Sequence, residues 1–187
     1  MPQQCLCVAV LKLFVVLSHS RYLSHTPTTH YNTRAFMLTA SQTHVRTLLR
    51  SQVQCVLATI SADQTPHTAL MAYAASPDFK IIHLATPLLA RKSQNMIARP
   101  DVSLLWDNRT GTLNDHGDGL LVTARGRATL SKSADNARAA FLSTNPNMKK
   151  FLTSTHVSLF DVHVEMYESV VGYEQPQQWE VGAVTTL

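Results

Sequence analysis

The chain has 187 residues, 45% of them hydrophobic and 15% charged, which suits one domain with a sizeable core and excludes a disordered chain. Its formal charge of +4 is uneven: residues 1–36 hold Lys12, Arg21 and Arg34 and no acid, so the remainder carries thirteen bases against twelve acids. With no basic stripe a nucleic-acid footprint is excluded, and Cys5, Cys7 and Cys55 are too few for a disulfide framework or a cysteine-rich metal site. A reducing, cytoplasmic compartment is expected.

Residues 1–36 differ from the rest. Leu6 to Leu17 is apolar except for Lys12, yet the MPQQ start, the interrupting lysine and the weak Ser18-His19-Ser20 cleavage site argue against a secretory signal. The run is also too short to span a membrane. The natural start is expected at Met37, with the leader as translated upstream sequence or a disordered tail. A degenerate signal or anchor is the alternative, and no membrane contact is expected unless the leader is real.

From Thr39 to Gln52 the spacing of Val45, Leu48 and Leu49, with Thr39 or Ser41 as cap, predicts an entry helix. Val53–Ile60 (VQCVLATI) is apolar on both faces and reads as a strand buried on both sides. After the polar turn Ser61–Thr65, Pro66 opens a second strand, His67–Ala75. Its middle, Ala69 to Ala72, is small and apolar, which leaves backbone groups open to a flat ligand; a plain core strand facing a helix is the alternative. Ser76-Pro77-Asp78 is a turn, Lys80–Thr86 a third strand, and Ala90–Arg99 a helix stopped by Pro100. Val102–Trp106 is a fourth strand, and Asp107–Gly119 a polar loop long enough to be functional.

Leu120–Leu130 is the fifth strand, with Gly126 marking a bulge. Ser133–Asn145 is a helix with Ala137, Ala140 and Phe141 inward, Met148–Thr153 a further helical turn, Val157–Tyr173 a long strand or strand pair, and Trp179–Val184 a last strand. Strands outnumber helices and no βαβ rhythm appears, which predicts a mainly antiparallel barrel with added helices.

The chemistry concentrates at Arg91-Lys92. Two cations at the positive end of a helix dipole are disfavoured by a few tenths of a kcal/mol each on an exposed surface. The same corner becomes favourable once an anion docks, because amide N–H groups, an Arg fork and an ammonium converge on it. Thr86, at the preceding strand end, can add a hydroxyl. The alternative is a solvated Arg-Lys step on a surface helix. No G-x-S-x-G elbow, P-loop or G-x-G-x-x-G is present. His67, His83 and His156 are scattered and His163 and Glu165 share a strand, so no metal site is expected.

The order of polar turn, Pro-led strand, strand ending in Thr86, Arg91-Lys92 and then NMIARPDVSLLW resembles the FMN-binding split-barrel family typified by pyridoxamine 5′-phosphate oxidase. The similarity covers about Leu48 to Leu130, and more weakly EMYESVVGY. It implies an antiparallel, Greek-key split barrel of six to seven strands and a homodimer with FMN at the subunit interface. By the same resemblance Ala69, Leu70, Met71, Ala72, Tyr73 and Ala74 run along the flavin, Ala85 and Thr86 meet the ribityl phosphate region, and Arg91 and Lys92 grip the phosphate.

Family enzymes place an Arg where this chain has Ala69, a Lys at Ala74, a Ser at Ala90 and a Gln at Leu121, and their C-terminal Arg/His motif is absent from QPQQWEVGAVTTL. Those departures point away from true pyridoxamine phosphate oxidase activity and toward a general FMN-dependent oxidoreductase with NAD(P)H or an organic donor. The alternative is a non-catalytic binder of flavin, haem or deazaflavin on the same barrel. Charge developing near flavin N1 would be met by backbone amides at Leu70–Ala72 or by Asn108, Arg109 or His116, and Trp106 or Trp179 could stack by the ring. No catalytic side chain stands out.

Overall fold

The entry helix runs from Ala40 to Ser51 (α1) in a computed structural model that describes residues 38–182. The leader and the expected start at Met37 lie outside the described residues. Thr39 caps α1 through a capping box: its hydroxyl accepts from the Gln42 amide at 3.2 Å and its own amide donates to Gln42 Oε1 at 2.9 Å, satisfying two otherwise orphaned donors. Val45, Leu48 and Leu49 form the buried stripe.

Seven strands follow: β1 (Gln54–Ile60), β2 (Pro66–Ala75), β3 (Ile81–Pro87), β4 (Asp101–Asp107), β5 (Leu120–Leu130), β6 (Val157–Val171) and β7 (Gln177–Glu180). Between them lie α2 (Arg91–Ala98), the single turn α3 (Asp115–Asp118), α4 (Ala134–Thr144) and, after a 3₁₀ turn at Pro146–Met148, α5 (Lys149–Leu152). The strands are antiparallel in the order β3-β2-β1-β4-β5-β6-β7, and β3 pairs again with β6 to close six of them into a barrel. β6 is long enough to do two jobs. Val157–His163 pairs with β3, and Met166–Ser169 carries β7 outside the closed ring.

The barrel is incomplete at one seam. β2 pairs with β1 along Pro66–Ala72 but with β3 only at Tyr73–Ala75. Over its first seven residues β2 therefore has a strand on one side alone, and the backbone groups on its other edge are left for a ligand or water.

Side chains alternate as a barrel requires. The interior holds Trp106, Tyr73 and Tyr167 with Leu57, Leu84, Leu104, Val122 and Val162. A second cluster lies outside, where α4 lays Ala137 and Phe141 over Ala74, Ala85 and Leu159. β1 differs from expectation. It is not buried on both sides: Cys55, Leu57 and Thr59 point inward, while Val56, Ala58 and Ile60 are half-buried or exposed. Nothing in the described chain covers the outer face there, so the apolar run fills one face of the barrel and lines a partly open one. The polar loop after β4 also differs in containing α3.

The bulge falls where Gly126 predicts. The β5–β6 register shifts between Arg125 and Gly126, and a Cβ at Gly126 would run into the His163 carbonyl. Gly126→Ala is expected to cost about 2–3 kcal/mol, read as a lower urea midpoint.

Burial also sets an alkaline limit on stability. Desolvation pushes the Cys55 thiol up to about 12 and raises the phenols of Tyr73 and Tyr167. The unfolded chain releases these protons at lower pH than the folded one. Stability is therefore fully present below the ordinary thiol range and falls as pH rises through it, by up to about 1.4 kcal/mol per pH unit for each group titrating. Urea unfolding at about pH 8 and pH 10 checks the sign, and a more stable protein at the higher pH would contradict it.

Candidate functional site

The chain leaves β3 at Pro87 and turns sharply, with the Ala90 amide donating to the Pro87 carbonyl at 3.0 Å, before α2 begins at Arg91. A polar seam holds α2 in place. Ser93 Oγ donates to the Pro87 carbonyl at 2.7 Å and lies 3.3 Å from Thr86 Oγ1. One turn on, Asn95 Nδ2 donates to Thr59 Oγ1 at 2.9 Å, and Arg99 Nη1 reaches the Ser61 carbonyl at 2.8 Å. Thr59, Ser61, Thr86, Ser93 and Asn95 are all buried, so these bonds are made away from water and are costly to break. α2 is thereby fixed against the β1–β2 turn.

That anchoring aims the start of α2. Ala90, in the cap position, makes no side-chain cap, and the first turn contains no acid. The positive end of the helix dipole and its first amides are open. Arg91 is exposed and Lys92 half-buried. Among the described residues the ion pairs are Lys80–Asp78, His83–Asp161, Arg109–Asp107 and Arg127–Asp101, none involving either cation. The carboxyl of Asp63, in the β1–β2 turn, is held below the usual range first by the Thr65 hydroxyl and amide, with a smaller contribution from the charge of Arg91. The side-chain bonds from α2 to the turn that opens β2 come from Asn95 and Arg99, in the middle and at the far end of the helix.

The other expected flavin contacts divide by strand face. Met71 and Tyr73 point into the core with Ala69 packed against it, and the Tyr73 hydroxyl donates to the Leu49 carbonyl at 2.6 Å. Leu70 faces out at 63% exposure. Ala72, Ala74 and Ala85 lie beneath the α4 cluster. Thr86 is wholly buried against Ser93. The fold therefore sets Thr86 against Ser93, in the first turns of the helix that Arg91 and Lys92 open.

The β4–β5 loop leaves β4 at Asp107, the opposite end of that seven-residue strand from Asp101, where the chain arrives from α2. Arg109 grips Asp107 with bonds of 2.8 Å from Nε and Nη2, and Asn108 Oδ1 accepts the Leu120 amide at 2.7 Å. Asp115 accepts the amides of Thr110, Gly111 and Thr112, which hold its carboxyl low. The His116 ring lies 5.6 Å from that of Tyr173. Asn108, Arg109 and His116 thus brace their own loop. Trp106 is in the core and Trp179 packs on Tyr167. Among the described residues no three His, Cys, Asp or Glu side chains gather as a metal site, and no helix is long and apolar enough to cross a membrane.

Sequence reasoning missed the buried seam of Thr59, Ser61, Ser93 and Asn95. The available signal was Ser93 and Asn95 just before Met96, polar residues inside a short helix that must pack somewhere.

A family model described as pyridoxamine 5′-phosphate oxidase matches residues 41–164. No curated protein matches the chain by sequence. Among solved structures, a heme binding protein from Mycobacterium smegmatis superposes with a TM-score of 0.68 at 19% identity, over 77% of this chain and 59% of that one. Campylobacter jejuni ChuZ gives 0.64 at 13% identity, over 78% and 61%. General Stress Protein 26 from Bacillus anthracis str. Sterne gives 0.58 at 17% identity, over 74% and 97%. At these identities the likeness is one of fold, and the chain spans about three-fifths of the first two proteins.

Proposed function

Because the chain belongs to the pyridoxamine 5′-phosphate oxidase family, we propose that it binds FMN and acts as an FMN-dependent oxidoreductase, passing two electrons from a reduced nicotinamide or organic donor to an acceptor. The observation that carries this reading is the uncapped start of α2, bearing Arg91 and Lys92 without an ion-pair partner among the described residues, together with the one-sided edge of β2. Arg91 and Lys92 would hold the phosphate together with the first amides of α2. The free backbone edge of Pro66–Ala72 would hydrogen-bond the ring system. The bound flavin supplies the two-electron chemistry, and the polypeptide binds, orients and keeps water out.

Exclusion of water calls for a cover. On the outer face Leu70, Val56 and Leu105 stand side by side in register, with Leu70 63% and Ile60 39% exposed. A second copy of the chain seated there, forming a homodimer, would close the flavin site from outside.

β2 carries no Asp, Glu, Lys or Arg, which favours a second reading: a carrier or sensor that holds flavin, deazaflavin or haem without turnover. In that reading His67, whose Nδ1 is buried without a partner, would hold the haem iron. The visible spectrum of the purified full-length protein separates these readings. Flavin bands that bleach with NAD(P)H and return with an acceptor support the enzyme. Flavin that no donor reduces supports the carrier, and a haem spectrum with no flavin affinity overturns the proposal.

A further inference from the structure

Arg46 and Arg50 stand one turn apart on α1, and both lay their guanidinium groups over the ring of Phe79, 5.0 and 5.5 Å from its centroid. Phe79 belongs to the turn between β2 and β3, at the opposite end of β3 from α2. Its backbone is left-handed, with φ of 63°, a conformation that is costly for a bulky side chain. Two bonds hold it there. The Phe79 amide donates to the Ser76 carbonyl at 2.9 Å, and the Tyr167 hydroxyl donates to the Phe79 carbonyl at 2.7 Å. The ring so placed is buried and orders both arginines above it.

Like charges one turn apart on a helix repel, and the usual remedy is a carboxylate. Here none answers. α1 contains no acid. All twelve acidic residues of the chain fall between Asp63 and Glu180, and the ion pairs among the described residues leave out both arginines. Asp78, beside Phe79 in the chain, turns its carboxylate back onto its own turn, accepting from Ser76 Oγ at 2.7 Å and from the Lys80 amide at 3.2 Å. Arg46 Nε is buried with no hydrogen-bond partner, a donor whose burial is costly until an acceptor arrives. Stacking occupies only the flat face of a guanidinium and leaves its N–H edge free. Arg50, on the exposed side of the pair, keeps the place open to solvent.

We propose that Arg46 and Arg50 form a binding site for a phosphoryl group, either inorganic phosphate or the phosphate of a small organic ester. A dianion answers both charges at once, where a carboxylate answers one, and its terminal oxygens suit two guanidinium forks. Because the Phe79 ring already orders the two side chains, little of their rotamer freedom remains to be lost on binding. The site is separate from the start of α2 and does not depend on the flavin reading.

The test follows the arginine Nε–Hε resonances of the full-length protein by NMR, since each guanidinium reports on itself. Inorganic phosphate is added at constant ionic strength, and ribose 5-phosphate in a parallel titration. The Arg46 and Arg50 signals are expected to move together and to saturate. Arg50→Gln, read at Arg46, should weaken the affinity at least tenfold. Arg46→Lys, read at Arg50, keeps the charge but loses the fork and should weaken it several-fold. Equal affinities for the two ligands identify the free ion as the occupant, and tighter binding of the ester identifies the ester. Shifts that rise linearly without saturating, an unchanged affinity in Arg50→Gln, or a response at Arg91 alone overturn the site. Arg91 reports on the start of α2 in the same spectra, so failure of this site and failure of the flavin reading are distinguishable.

Discussion

Alanine at both Arg91 and Lys92 is expected to weaken FMN binding by roughly 2–5 kcal/mol, taking charge-assisted bonds at about 1.5–3 kcal/mol each with partial compensation from the open α2 amides. Riboflavin, which lacks the phosphate, should bind the parent and the variant almost equally. The sign of a second effect distinguishes a ligand site from a structural one. Both cations sit at the positive end of a helix with no acid in its first turn. Without ligand their removal should leave the fold unchanged or stabilise it by a few tenths of a kcal/mol. Calorimetric titration with both flavins, beside thermal unfolding of the apo-protein, measures the two effects. Equal losses for FMN and riboflavin with a lower apo melting temperature would make the pair a folding element instead.

Trp106→Ala is expected to destabilise the protein by about 3–5 kcal/mol. The side chain is fully buried and touches both Tyr73 and Tyr167, so its loss opens a cavity in the middle of the barrel that these rings cannot close. Trp106→Phe should cost much less. Phenylalanine keeps a ring between Tyr73 and Tyr167 and forfeits only part of the packing. Urea unfolding gives both values, and a cost below about 1 kcal/mol for the alanine variant would mean that the core is looser than its burial implies.

The barrel was legible in the chain because its signals are local. Alternating apolar residues mark β4 and β5, Pro66 and Pro100 punctuate their elements, and Gly126 sits where β5 must approach the His163 carbonyl. Arg91-Lys92 was legible for the same reason, since charge at a helix start is a property of adjacent residues. The rest depends on contacts between distant segments. Nothing in Pro66–Ala72 announces that β3 turns away from it after Tyr73. Thr59 and Ser61 read as strand end and turn until Asn95, more than thirty residues on, is seen bonding both. Asn108, Arg109 and His116 read as candidates because polar loops often carry chemistry; that Asn108 accepts from Leu120 and His116 lies beside Tyr173 is again a contact between separated segments. Val56 and Ala58 misled most simply: an apolar outer face reads as buried, whichever molecule covers it.

The central claim is that this chain holds a dianionic phosphate at the start of α2, and the affinities of the unmodified full-length protein for FMN and riboflavin test it directly. FMN should bind tighter by more than tenfold, as even one charge-assisted bond of about 1.5–3 kcal/mol requires, and that margin should shrink with added salt. Equal affinities, or no binding of FMN at all, would contradict the account.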